Sequence, residues 1–164
     1  MRSCGECTEC CQGWLKDDNL NLKPGSPCVH CTQSGCGIYD TRPENPCRTF
    51  RCGWLTHEND FPDDMRPDRC GAIILLDRDY YSWKMVRAVP AGEKVPEDTY
   101  NFLLEHAKSK QLPFSFLERE LVDGVEVLAS DKALGPPAFT QEVKHRMQTE
   151  PSQADIFWAF SGDK

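Results

Sequence analysis

The chain has no excess of basic residues: 19 Lys and Arg stand against 26 Asp and Glu, a net charge of −7 before any thiolate is counted. A nonspecific nucleic-acid binder needs a cationic face that displaces counterions. Nucleic acid is therefore not an expected partner, because acidic residues are interleaved with Arg42, Arg48, Arg51, Arg66 and Arg69. Long apolar runs are also missing. No stretch approaches the roughly 20 residues of a membrane-spanning helix, so no membrane association is expected. Met1-Arg2-Ser3 leads straight into cysteines without the apolar core of a secretory signal. That start predicts a reducing, cytoplasmic setting. No internal repeat is present, and no His-x-x-x-His pair that would announce a hydrolytic zinc site. The isolated His57, His106 and His145 read as surface or core residues.

What the first seventy residues hold is sulfur. All ten cysteines fall between Cys4 and Cys70, and none follows. Cys4-Gly-Glu-Cys7-Thr-Glu-Cys10-Cys11 packs four thiols into eight residues, a density that side-chain packing does not explain. Disulfides would suit a short secreted chain, whereas a reducing compartment favours thiolates on metal. Thiols two residues apart can chelate one soft cation, and Cys28-Val-His-Cys31 repeats that gap. The candidate metal ligands are thus Cys4, Cys7, Cys10, Cys11, Cys28, Cys31, Cys36, Cys47 and Cys52, with His30 as an optional nitrogen donor.

Two metals compete on these spacings. Eight or nine thiols could hold two zinc ions or a thiolate-bridged cluster. Equally, Cys4-x-x-Cys7-x-x-Cys10 has the spacing of three ligands to a [4Fe-4S] cluster, with Cys36 or Cys47 as a distant fourth. Cys10 and Cys11 are adjacent, so they either serve separate metals or bridge two within one cluster. Cys70 lies outside the close spacings and reads as an ordinary buried thiol at a strand start.

Further signals divide the chain. Residues 12–27 form an aperiodic connector anchored by Trp14, Leu15, Leu20 and Leu22. Thr41-Arg42-Pro43-Glu44 looks like the start of a short helix carrying Cys47 and Phe50. Residues 56–70 read as a polar linker. A hairpin follows, with Ala72–Leu76 and Tyr80–Val89 flanking a turn at Asp77-Arg78-Asp79. A helix opens at Pro96-Glu97-Asp98 with a stripe of Tyr100, Leu103, Leu104 and Ala107. A second hairpin, Phe114–Val122 and Val125–Leu128, turns at Asp123-Gly124. Thr140 would cap a short helix reaching Met147. The apolar tail 156–160 is expected to pack on the sheet or to dock a protein partner.

The predicted architecture is α+β: a cysteine-rich, metal-organised lobe at 1–70, then a small antiparallel β-hairpin and helix region at 71–164 packed on it.

The run Cys4-x2-Cys7-x2-Cys10-Cys11, then Cys36-Gly-Ile-Tyr39-Asp-Thr-Arg42-Pro43 and Cys47-Arg-Thr-Phe50-Arg-Cys52-Gly-Trp54, resembles the bacterial CxxCxxCC zinc/iron-chelating domain family (YkgJ-like). The similarity spans residues 4 to 70, including Phe61-Pro62-Asp63-Asp64-Met65-Arg66-Pro67-Asp68. It implies a zinc or iron ion bound by Cys4, Cys7, Cys10, Cys11, Cys31, Cys36, Cys47 and Cys52. Cys28 and Cys70 are additions to that pattern, which leaves open whether Cys28 or Cys31 is the ligand. Some members of the family are tied to lysine methylation of proteins with an iron–sulfur cluster, but this chain has no counterpart of a separate catalytic motif.

The functions that follow are a zinc-binding protein with a structural or chelating role, or an iron–sulfur protein with a redox or group-transfer role. Arg42, Arg48 and Arg51 would either donate to the sulfurs or pair with Asp40, Glu44 and Glu58.

Overall fold

The computed structural model describes residues 2–146, 148 and 156–160, without the side chains of 77, 78 and 156–159. Two-residue strands β1 (Cys31–Thr32) and β2 (Gly35–Cys36) form an antiparallel ribbon. The short helices α1 (Gly53–Thr56) and α2 (Pro67–Cys70) follow. Next come β3 (Ala72–Tyr80), β4 (Trp83–Pro90), α3 (Glu97–Ser109), β5 (Phe114–Val122), β6 (Val125–Gly135), α4 (Pro137–Arg146) and β7 (Ile156–Ala159). Strands β3 to β7 form one five-stranded sheet in sequence order. No described helix is long and apolar enough to cross a membrane.

Both predicted hairpins are present and antiparallel, but they meet in parallel. β4 pairs parallel with β5, and β6 parallel with β7. The wholly antiparallel expectation fails because α3 carries the chain back along the sheet before β5 begins, and α4 does the same before β7. A strand that re-enters after such a crossover pairs parallel. The two helices cover opposite faces. Leu103 and Ala107 of α3 pack with Val86, Phe114 and Phe116, whereas Phe139 and Val143 of α4 pack with Tyr80, Met85 and Ala133. Neighbours Ala133 and Leu134 fall into different clusters, as strand alternation requires.

The first hairpin turns later than predicted. β3 runs through a register shift between Leu75 and Arg78 and turns at Tyr81-Ser82, because Tyr80 is buried against Phe139. The second turns at Asp123-Gly124 as expected, with both residues at positive φ. Helix α4 starts at Pro137, so Thr140 lies within the helix and donates to the Pro137 carbonyl at 2.9 Å. A proline at the first helical position has no amide to leave unpaired. Met147, the expected end of that helix, lies outside the described residues. The tail joins the sheet as β7, and Phe160 is buried. The side chains of 156–159, on which partner docking would depend, lie outside the described residues.

Residues 56–70 are not a linker. Phe61 is fully buried, with its ring 5.1 Å from that of His106 on α3, and Met65, Pro67 and Cys70 are buried with it. The Trp54 indole donates to the Pro62 carbonyl (3.2 Å), and Thr99 Oγ1 to the Cys70 carbonyl (2.7 Å). Arg2 stacks over Trp54 and donates to the carbonyls of Trp54 (3.0 Å) and Phe61 (2.7 Å). One core thus takes Cys52, Trp54 and Phe61 together with Ile73, Val86 and Phe116.

The cysteine segment is fastened to the sheet by Arg119, whose side chain is 1 % exposed. Its Nε donates to Glu126 at 2.7 Å, Nη1 to the carbonyls of Pro90 and Gly92, and Nη2 to the Trp14 carbonyl at 2.8 Å. Lys16 also pairs with Glu126. Removing one partner of such a pair leaves a buried charge uncompensated, at a cost of about 3–5 kcal/mol. Arg119→Ala is expected to lower the unfolding free energy by that order in a denaturant titration. Arg119→Lys should recover little, since an ammonium cannot span the same acceptors.

Candidate metal centre

Successive turns gather the first four thiols. The Cys7 amide donates to the Cys4 carbonyl (3.0 Å), and the amides of Cys11 and Gln12 to the Thr8 carbonyl (2.7 and 3.0 Å). The chain then bends at Gly13, whose φ is +89°. A Cβ there would sit 2.2 Å from the Lys23 carbonyl oxygen, so only glycine lets the 23–26 loop close over this turn.

A second group hangs on the first through the backbone. The Cys28 amide donates to the Cys11 carbonyl (2.8 Å), and the Cys31 amide to the Cys28 carbonyl (2.9 Å). Cys31 and Cys36 stand directly opposite in the β1–β2 ribbon. That ribbon is closed by Gly37 donating to the His30 carbonyl (2.8 Å) and Thr32 Oγ1 to the Gly35 carbonyl (2.8 Å). Residues 44–48 make a wide turn with non-helical backbone at Asn45, in place of the predicted helix, and it presents Cys47. Arg42 and Arg48 hold this loop by carbonyls rather than by sulfur or carboxylate. Arg42 stacks 3.7 Å over Tyr39 and donates to the carbonyls of Tyr39 (2.6 Å) and Cys47 (3.3 Å), while Arg48 donates to those of Asp40 (2.6 Å) and Arg42 (3.0 Å). Cys52 immediately precedes α1 and is buried in the core.

All ten cysteines are free thiols. Cys4, Cys7, Cys10, Cys11, Cys28, Cys36, Cys47 and Cys52 line one cavity of about 520 Å³, with His30, Tyr39, Phe50 and Trp54 in its wall. Cys31 does not line it but stands across the ribbon from Cys36. Cys70 is apart from it: its buried thiol donates to the carbonyls of Met65 (3.4 Å) and Ala72 (3.2 Å). Among the described residues, no three His, Cys, Asp or Glu side chains stand in a ready ligating arrangement. The thiols are gathered but not closed on a point.

Their electrostatics follow from crowding in a low-dielectric wall. Burial holds Cys10 well above the ordinary thiol range, and repulsion from Cys52, Cys7, Cys11 and Cys4 adds to it. Burial pushes Cys11 up to about 12, reinforced by Cys31, Cys28, Cys36 and Cys47. Cys7 is raised by burial to about 11, against backbone hydrogen bonding from Glu9 and Asp68 that favours its thiolate. Burial also raises Cys52, opposed by backbone hydrogen bonding at Leu55 and Trp54. Cys47 is raised by burial and by Cys28 and Cys36, with Arg42 acting the other way. A sulfur-only donor set that repels itself on ionising suits a soft cation, which would replace several thiol protons with one positive centre.

The other histidines do not face the cavity. His57 Nδ1 shares a 2.8 Å hydrogen bond with Thr56, His106 packs on Phe61, and His145 is exposed. Sequence reasoning named Cys36 or Cys47 as the distant partner of the first three thiols, but the thiol acting most strongly on Cys10 is Cys52. The signal for it was available: Gly53-Trp54 after Cys52 marks a point where the chain turns into the core. Arg119 carried a weaker signal, a cation inside the strand Phe-Ser-Phe-Leu-Glu-Arg-Glu-Leu-Val. No protein-family model, curated protein or solved structure matches the chain.

Two outcomes follow from this geometry. In metal-free protein, folded thiols at about 11 to 12 keep protons that unfolded ones lose near 9.0. Stability is then full below pH 9 and falls as pH rises through 11 to 12, which unfolding midpoints taken with chelator present would show. Gly13→Ala should cost roughly 1–2 kcal/mol from its left-handed backbone alone. Displacement of the Lys23 carbonyl adds to that, and should appear as faster alkylation of Cys11 and Cys28.

Proposed function

We propose that this chain is a thiolate metal-binding protein of the CxxCxxCC type, holding zinc in a structural or chelating role within its first seventy residues. The observation that carries the reading is the convergence of eight thiols, from three separate stretches of chain, on one cavity. The ligands proposed are Cys4, Cys7, Cys10, Cys11, Cys28, Cys36, Cys47 and Cys52, with Cys31 within reach beside Cys36. Bound zinc supplies a positive centre that cross-links these stretches and relieves their mutual repulsion. The chain supplies backbone donors to Cys7 and Cys52, and Arg42 beside Cys47, which offset thiolate charge. Such a donor set belongs in a reducing compartment, and we place the protein in the cytoplasm on that ground.

A second reading, an iron–sulfur protein with redox or group-transfer chemistry, is favoured by one specific feature. Cys4, Cys7 and Cys10 lie on successive turns and Cys10 packs on the core that holds Cys52, a three-plus-one set of thiols that also suits a [4Fe-4S] cluster.

Metal and acid-labile sulfide content, with a visible spectrum, on full-length protein purified without oxygen, separates the two. Stoichiometric zinc without sulfide or visible absorbance is the expected result. Iron with matching sulfide would install the second reading, and a protein that takes up neither metal would end both. Chelation should raise amide exchange in residues 2–55 while leaving β3 to β6 protected, as hydrogen-exchange mass spectrometry would report.

A further inference from the structure

We infer that the cysteine cavity is two sites rather than one: an inner site on Cys4, Cys7, Cys10 and Cys52, and an outer site on Cys11, Cys28, Cys36 and Cys47 with Cys31 in reserve, each taking one soft cation. This rests on the metal-binding reading above and goes beyond it in assigning partition and behaviour.

The division runs between two adjacent residues. Cys10 and Cys11 begin one turn, and consecutive side chains on a helical turn point about 100° apart. Cys10 packs against the core that contains Cys52, and the turn immediately before it carries Cys4 and Cys7. Cys11 instead accepts the Cys28 amide at its carbonyl, and Cys28 in turn accepts the amide of Cys31, which faces Cys36. The backbone thus strings Cys11, Cys28 and Cys31 together through hydrogen bonds, whereas Cys10 and Cys52 share the apolar core. Apart from the adjacent Cys11, which also acts on Cys10, the charged neighbours sort the same way, with Cys52, Cys7 and Cys4 around Cys10, and Cys31, Cys28, Cys36 and Cys47 around Cys11.

The two sets differ in what they can do. Four inner thiolates fill a tetrahedron and leave no coordination position open. Cys52 is buried, and backbone donors already serve Cys7 and Cys52. An ion there is locked by the core. The outer set offers five thiols, with His30 in the same wall, for four positions. A surplus donor lets one ligand leave while another takes its place, and none of these five cysteines is sunk in the core as Cys52 is. The outer ion is the one that exchanges.

The test uses full-length protein, Zn2+ as probe, and native mass spectrometry in the presence of a competing chelator. Wild type is expected to hold two zinc ions, lost in two phases at least tenfold apart in rate. Cys10→Ala should retain one ion with only the fast phase, and Cys11→Ala one ion with only the slow phase. A wild type that binds one ion, a single loss phase, or either variant dropping to none or keeping two would overturn the partition while leaving metal binding intact. A wild type that binds none would instead end the underlying reading. Should the variants fold poorly, alkylation mapping on wild type decides the same question. Once the first equivalent is removed, Cys28, Cys31, Cys36 and Cys47 should be labelled with Cys11, and Cys4, Cys7, Cys10 and Cys52 protected. Uniform labelling across both groups would refute it.

Discussion

A buried guanidinium ties the cysteine segment to the sheet, over and above the apolar core that the two share. Arg119 lies in the middle of β5, yet its donors reach the carbonyl of Trp14, three residues beyond the paired cysteines, and those of Pro90 and Gly92 where β4 ends. Pro90 is the last residue of β4 in register with β3 and Gly92 lies beyond it, so the guanidinium caps that end of the strand. Glu126 balances the charge from the next strand, and Lys16 brings the cysteine segment to the same carboxylate. The position of the Cys10–Trp14 turn relative to the sheet is therefore set by hydrogen bonds of fixed direction, more than by apolar contact, which would tolerate sliding. A planar fork with five donors suits that task, and the sequence holds no other cation at this depth among the described residues.

Behind that anchor the thiols sit in a conflict that the fold does not resolve alone. Burial keeps them protonated, and ionising one raises the cost of ionising its neighbours. The surrounding groups reduce this conflict only in part: backbone donors at Cys7 and Cys52, and Arg42 at Cys47. Arg42 and Arg48 are spent on carbonyls, which shapes the loop around Cys47 but leaves most of the sulfur charge unanswered. The chain gathers these sulfurs around one cavity without closing them on a point.

Much of this was legible from sequence, for reasons of different strength. The Asp123-Gly124 turn and the α3 stripe are local signals, written in a few residues, and both are present in the fold. Eight of the nine cysteines named from spacing line the cavity, and Cys31, despite its two-residue gap from Cys28, does not. Strand direction was not legible, since parallel or antiparallel pairing depends on where a crossover returns the chain. Residues 56–70 read as a linker because their polar residues outnumber their anchors, yet Phe61, Met65, Pro67 and Cys70 are all buried. Cys52 was named as a candidate ligand but not as the neighbour of Cys10, and Arg119 was not named at all, because its partners lie up to 105 residues away along the chain.

The distance along the chain between Trp14 and Arg119, 105 residues, has a meaning during synthesis. At the usual elongation of about 5–20 residues per second, the cysteine segment waits on the order of 5–20 seconds outside the ribosome before its clamp emerges. Throughout that interval its thiols have neither the core nor the sheet to shelter them. Whatever first occupies those sulfurs, proton, metal or oxidant, does so on a nascent chain. The finished fold then buries Cys52 and leaves the other cavity cysteines only partly covered.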